Sequence, residues 1–143
     1  MAKFLTEEVK KTLKEAVENA EKQTSAEIAV SVTAKTSGDV FEAAKKFFNE
    51  KELFKTKDRN AVLVFLSYKD QKLAILGDEG IDQKVPENFW AETVSVMTSE
   101  FREGNYPAGL EKGILKIGEQ LAEFFPWTED DENELSNEIH YDS

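Results

Sequence analysis

The chain has 143 residues, a net charge of −11, no cysteine and a hydrophobic fraction of 40%. This length and composition predict one domain with a substantial core. The negative charge disfavours nucleic acid and anionic membranes as partners, and the lack of cysteine excludes disulfides, thiolate zinc sites and cysteine nucleophiles. Because no apolar run approaches the ~18 residues of a membrane span, and no signal peptide is recognisable at the start, we expect a cytoplasmic protein and a monomer.

The first third of the chain predicts a helix, a strand and a second helix. Thr6 is a suitable N-cap for the first helix. Residues 26–34 alternate in polarity as a strand does, and Ser37 or Asp39 is placed to cap the helix that follows. The first helix carries its apolar face at helical spacing on Val9, Leu13, Ala16, Val17 and Ala20.

The rest of the chain predicts two strands followed by two helices. Residues 61–67 are apolar on both faces, which is typical of a central strand, and the short turn to residues 72–77 predicts an antiparallel hairpin. Pro86 suits the first turn of a third helix, Gly104 its end, and Pro107 the start of a fourth. The glycines of the fourth helix predict close approach to a neighbouring element: Gly109, Gly113 and Gly118.

This order of elements predicts an α/β fold, an αβα sandwich with a mixed, about four-stranded central sheet. The strand–helix–strand unit predicts a right-handed crossover between parallel strands. We assign residues 1–126 to a single domain and residues 127–143 to an acidic C-terminal tail, which holds seven acidic residues and no Lys or Arg. Within the tail, Ile139 and Tyr141 lie two positions apart, as residues on one face of a strand do, and this spacing predicts an edge strand.

One short segment, LGDEGID at residues 76–82, gathers three carboxylates around a glycine without a basic residue. In the predicted topology this segment lies beside residues 55–60, at the end of the sheet where Glu27 begins the first strand. Such a site offers the oxygen ligands that a hard divalent cation prefers. The candidate metal ligands are Asp58, Asn60, Asp78, Glu79 and Asp82.

Two other interpretations of these acids stay open at this point. Lys55, Lys57 and Arg59 are close enough in sequence to neutralise the segment by ordinary ion pairs, and solvent would screen what remains. The run EDDENE at residues 129–134 is a second acidic cluster, although such runs are usually just solvated. The spacing around Asp78 does not match an EF-hand loop.

Two stretches carry a family resemblance. Residues 58–81, DRNAVLVFLSYKDQKLAILGDEGI, and residues 101–114, FREGNYPAGLEKGI, resemble the two signature regions of the TPM-domain family. TSAEIAVSV is similar to the first strand of the family, so the resemblance covers roughly residues 5–125. It implies an αβα sandwich with a divalent-metal site, commonly for calcium, near loops at the end of the sheet. Carried over by position, that site falls on the five candidate ligands.

The sequence departs from this family in two respects. Family members are usually secreted or membrane-anchored, whereas this chain shows no signal peptide, transmembrane helix or glycine-rich tail, so we expect a stand-alone domain. Residues 77–80, Gly-Asp-Glu-Gly, replace the Gly-Tyr-Gly-Leu-Glu type of loop that is usual in the family. We therefore expect Ca²⁺, or another divalent cation such as Mg²⁺, with ligands that the resemblance alone does not fix.

Two functions follow from a metal site. A plant thylakoid member of the family, which takes part in photosystem repair, is associated with phosphatase activity, so the resemblance implies a metal-dependent phosphatase of low activity as one alternative. Phosphoryl transfer needs a nucleophile or a metal-activated water and positive charge for the phosphoryl oxygens. The sequence offers only Arg59 and Arg102 as candidate clamps. We favour a metal-responsive binding or regulatory module with an unknown protein partner. In such a module, Asp78→Asn or Asp82→Asn should weaken metal binding and, in metal-free buffer, stabilise the protein slightly by removing repulsion.

Overall fold

A computed structural model describes residues 3–128 and 139–142 and has an αβα architecture. A four-stranded mixed sheet of order β3-β2-β1-β4 forms the middle layer. The elements are α1 (Glu7–Glu21), β1 (Glu27–Thr33), α2 (Val40–Glu50), β2 (Ala61–Ser67), β3 (Lys72–Gly77), α3 (Glu79–Asp82), α4 (Ala91–Arg102), α5 (Tyr106–Leu121) and β4 (His140–Asp142).

The strand pairing confirms the predicted topology. β1 and β2 are parallel, with Glu27 opposite Ala61, and β2 and β3 form the antiparallel hairpin. β4 pairs in parallel with the end of β1, so the edge strand predicted from Ile139 and Tyr141 is present, at His140–Asp142. The rest of the predicted acidic tail, residues 129–138, lies outside the described residues.

Two hydrophobic layers cover the sheet. One face of β1, with Ile28, Val30 and Val32, packs with the buried residues of α1, α4 and α5. The opposite face, which includes Ala29, packs with α2. α1 and α5 approach closely because Gly118 has no side chain: a Cβ there would lie 2.7 Å from the Cβ of Ala20. The prediction that a glycine of the last helix permits close approach is confirmed at this position.

The helices α1 and α2, which have a side-chain N-cap, begin where the sequence predicts. The Thr6 hydroxyl accepts a hydrogen bond from the N–H of Val9 at 3.1 Å, and Asp39, rather than Ser37, caps α2. The third predicted helix begins at Ala91 instead of near Pro86, because Asn88 adopts a positive φ of 66° that interrupts helical geometry. Residues 79–82 form a short helix where the sequence predicts a loop.

Candidate metal centre

Two loops meet at the end of the sheet where β1 and β2 begin and β3 finishes. The N–H of Gly80 donates to the carbonyl oxygen of Arg59 at 2.9 Å, and the N–H of Asp78 donates to that of Ala61 at the same distance. A Cβ on Gly80 would lie 2.2 Å from the carbonyl oxygen of Asp58. Only glycine therefore permits this contact, and the predicted juxtaposition of residues 55–60 with residues 77–82 is present.

An ion pair between Arg59 and Asp78 joins the two loops. The Arg59 guanidinium binds the Asp78 carboxylate with two hydrogen bonds, from Nε at 2.7 Å and from Nη2 at 2.8 Å. This is the fork geometry in which arginine binds carboxylates most strongly. The side chain of Asp78 is only 6% exposed, while that of Arg59 is 41% exposed, so the pair joins a buried anion to a cation that reaches solvent.

Asp78 also starts the short helix α3. Its Oδ1 accepts a hydrogen bond from the N–H of Glu79 at 2.8 Å, and its carbonyl oxygen accepts from the N–H groups of Ile81 and Asp82. Arg59 reaches Glu79 as well, with Nη1 3.3 Å from Oε1. The interpretation in which a nearby basic residue neutralises the acidic segment is thus correct for Asp78 and Glu79, through Arg59.

Asn60 contributes the least satisfied polar atom of the centre. Its side-chain Nδ2 donates to the carbonyl oxygen of Ser25 at 3.0 Å, and its backbone N–H donates to the Thr56 hydroxyl. Its Oδ1, in contrast, is buried and has no hydrogen-bond partner among the described residues. A buried acceptor without a donor is costly, and a cation is one of the groups that would satisfy it.

The remaining candidate ligands lie on the solvent side of the contact. Asp58 and Asp82 are exposed residues. Burial of its carboxyl and, secondarily, the negative charge of Asp78 raise the pKa of Asp82. Across residues 3–128 and 139–142, no three acidic or histidine side chains are positioned to hold one metal ion together.

A second acidic pair lies at the same end of the sheet. Oε2 of Glu21 accepts a hydrogen bond from the N–H of Ile28 at 2.8 Å, on the edge of β1 that the short β4 does not reach. Burial and the adjacent Glu27, itself 4% exposed, raise the pKa of Glu21 to about 8. At neutral pH the carboxyl of Glu21 is therefore largely protonated, and it forms a hydrogen bond with the Glu27 side chain.

The sequence interpretation missed Glu21. The available signal was an acid that directly follows the apolar face of the first helix, one residue after the buried Ala20. Helical spacing alone gives no indication that such a residue turns toward the start of the first strand.

These features define a small αβα-sandwich domain in which a glycine contact and an arginine–carboxylate pair join two loops at one end of a mixed sheet. The TPM domain family model matches residues 1–120. The chain belongs to the TPM-domain family. A comparison with curated proteins gave no match.

Solved structures show the same fold. The chain is similar to the BA42 protein of the psychrophilic bacterium Bizionia argentinensis, with 38% identity, a TM-score of 0.93, and coverage of 99% of this chain and 97% of that one. It is also similar in fold to the N-terminal domain of a P. gingivalis protein, with 17% identity, a TM-score of 0.71, and coverage of 86% of this chain and 80% of that one. The N-terminal domain of cg2496 from Corynebacterium glutamicum is similar in fold as well, with 7% identity, a TM-score of 0.64, and coverage of 94% of this chain and 79% of that one.

No helix within the described residues is long and apolar enough to cross a membrane. This finding agrees with the hydropathy of the sequence.

Proposed function

We propose that this TPM domain is a binding module whose two joined loops respond to a divalent cation, with Ca²⁺ preferred. The observation that carries the proposal is the contact itself: Asp78 is held by a cationic side chain, Arg59, and the same end of the sheet holds the unsatisfied Oδ1 of Asn60. Because the Asp78 carboxylate already binds one cationic group, it can bind a metal ion in place of that group. Flexible oxygen ligands suit Ca²⁺ better than Mg²⁺, which demands near-octahedral geometry.

In this proposal Arg59 acts as an internal competitor for the metal. When Asp78 coordinates a cation, the guanidinium is released from its two hydrogen bonds and is free to move toward solvent, since its side chain is already 41% exposed. Arg59 has a left-handed backbone conformation with φ of 50°, which a non-glycine residue adopts at a cost. Loss of the ion pair therefore removes a restraint on residues 55–60 and alters the surface that they present to a partner protein.

The test is a Ca²⁺ titration of the full chain followed by NMR. We expect the amides of residues 55–60 and 77–82 to shift with saturation, and the Nε–H signal of Arg59 to change as its hydrogen bond to Asp78 breaks. Arg59→Gln should tighten binding because it removes the competitor, whereas Arg102→Gln, a charge-matched control on α4, should leave the affinity unchanged. If only the amides of residues 129–134 shift, the acidic tail is the binder and the loop site is wrong.

We expect the chain not to hydrolyse phosphate monoesters efficiently. The chain has no cysteine and a single histidine, so it lacks most of the nucleophiles and proton-transfer groups that phosphoryl transfer uses, whatever the position of Arg59. The check is a phosphatase assay with Ca²⁺, Mg²⁺ or Mn²⁺. Turnover above background that disappears in Asp78→Ala would instead support the metal-dependent phosphatase.

A further inference from the structure

A cavity lies at the opposite end of the sheet from the candidate metal centre. α2 packs mainly on β2 and β3, so on that face it leaves a groove over the second half of β1 and over β4. The groove has a volume of about 710 Å³. Small-molecule sites commonly fall in the range of about 300–1,000 Å³, so the groove is large enough for a compact ligand.

The position of this cavity in the fold is one where α/β proteins bind ligands. It lies at the carboxyl ends of the parallel strands β1 and β4. The chain leaves β1 toward α2 on the face of the groove. In open α/β sheets, ligands bind in the crevice outside the carboxyl ends of the strands.

The floor of the cavity is polar where the other face of the same strand is apolar. Val30 and Val32 are buried against the helices of the opposite layer, whereas Ser31 and Thr33, between and beyond them, line the cavity. His140 lies opposite Ser31 in the register of β4 and extends this polar floor. A face that served only to bury α2 would carry apolar residues here.

Aromatic rings form one wall of the cavity. The ring of Phe47 on α2 lies 5.2 Å from that of His140 and 6.0 Å from that of Phe65, measured between centroids. Burial and the nearby Lys51 ammonium lower the pKa of His140, so its imidazole is neutral at pH 7. The wall therefore offers flat rings together with a neutral nitrogen that can form a hydrogen bond.

Among the described residues, the rim of the cavity carries more basic than acidic side chains, although the chain as a whole is strongly negative. Three lysines line it, Lys35, Lys46 and Lys51, against two acids, Glu42 and Glu50. Both acids have lysine partners: Glu42 lies 3.6 Å from Lys45, outside the lining, and Glu50 lies 3.9 Å from Lys46. Lys35 and Lys51 form no salt bridge within the described part of the chain, so their positive charges remain for an anion.

A buried hydroxyl adds a hydrogen-bonding group to this rim. The backbone N–H of Thr36 donates to Oδ2 of Asp70 at 2.8 Å, which fixes the residue at the end of the cavity. Its side-chain Oγ1 is buried and has no hydrogen-bond partner among the described residues. Buried hydroxyls are normally hydrogen-bonded, and a bound anion would accept a hydrogen bond from this one.

We propose that this cavity binds a small organic anion with a planar ring, of the nucleoside monophosphate class. The ring would stack in the aromatic wall of Phe47 and His140, and the anionic group would lie near Lys35, Lys51 and the hydroxyl of Thr36. This site is independent of the proposed metal function, because it uses none of the five candidate metal ligands.

The test is an NMR titration of the full chain with AMP, adenosine and inorganic phosphate as three separate probes. We expect AMP to give saturable shifts at residues 31–37, 46–51 and 140–141, with adenosine and phosphate each binding more weakly. The double variant Lys35→Gln with Lys51→Gln should weaken AMP binding by about tenfold or more, as loss of charge-assisted contacts predicts.

The control is Lys11→Gln, which removes the charge of an exposed lysine on α1, outside the cavity. It should leave the AMP affinity within about twofold of the unmodified chain, because exposed charges outside a site contribute little. The proposal is overturned if AMP gives no saturable shift at these residues, if Lys11→Gln weakens binding as much as the double variant, or if phosphate alone binds as tightly as AMP.

Discussion

Glu21→Gln should stabilise the protein above neutral pH and remove the pH dependence that Glu21 contributes to its stability between about pH 4.5 and pH 8. Gln keeps both hydrogen bonds of the protonated Glu21: its oxygen accepts from the N–H of Ile28, as the carboxyl does at 2.8 Å, and its amide donates to Glu27. Unlike Glu, it never becomes a second buried negative charge. We therefore expect this substitution to have a large effect on stability.

The sign follows from the raised pKa of Glu21. Its pKa is about 8 in the folded chain against an ordinary value of 4.5, so the folded state binds the proton more tightly than the unfolded state. The stabilisation is complete below about pH 4.5 and is lost as the pH rises through 8. Each unit of pH inside this window costs up to about 1.4 kcal/mol of unfolding free energy.

The measurement is urea unfolding at several pH values in buffer with a metal chelator. Glu15→Gln is the matched control, because Glu15 lies on the same helix and is exposed. We expect the curves of Glu21→Gln and the unmodified chain to meet near pH 5 and to diverge by several kcal/mol at pH 8.5, of the order that the linkage slope allows. Equal slopes in the two proteins would show that Glu21 and Glu27 do not share a proton.

Patterns along the chain predict this fold well because they reflect burial. The apolar run at residues 61–67 forms the central strand β2, with every residue buried, and alternation in the tail predicts β4. The topology then follows from short connections, which place residues 55–60 beside residues 77–82. Each of these steps depends on periodicity and chain length, which are visible in one sequence.

Pairing between distant side chains cannot be predicted in the same way. Arg59 is one of three basic residues in a polar loop, and its sequence neighbours Lys55 and Lys57 have the same charge. Only the tertiary structure shows that Arg59 forms the bidentate contact with Asp78, while Lys55 pairs with Glu52. Likewise, the contact of Glu21 with the start of β1 depends on how the end of α1 packs against the sheet, which the sequence pattern does not show.

The Arg59 pair changes the expectation for charge removal on the acidic segment. The sequence predicts that Asp78→Asn and Asp82→Asn both stabilise the metal-free protein by removing repulsion. The structure predicts opposite signs instead. Asp78 is 6% exposed at its side chain and is held by two hydrogen bonds from a guanidinium, so its charge is attractive in this environment. Asp82 forms no salt bridge with any described residue, and the negative charge of Asp78 repels its carboxylate.

Asp78→Asn should therefore destabilise the metal-free protein by about 1–3 kcal/mol, the range for hydrogen bonds to charged groups. Asn is as good an N-cap as Asp, so the start of α3 is retained and the loss reports the ion pair. Asp82→Asn should stabilise slightly, by less than about 1 kcal/mol, since an exposed charge is screened by solvent. Its effect should also fade as the pH falls, because the raised pKa of Asp82 keeps that carboxyl protonated in acid.

The two variants carry the same chemical change at positions four residues apart. Urea unfolding of both in the presence of a chelator therefore compares their free energies of unfolding directly. Adding Arg59→Gln to each background completes the test. The cost of Asp78→Asn should largely disappear when Arg59 is already absent, because the two substitutions remove one interaction. The effect of Asp82→Asn should change little. If Asp78→Asn stabilises the protein as Asp82→Asn does, repulsion dominates at this end of the sheet and the acids lie there without effective neutralisation by Arg59.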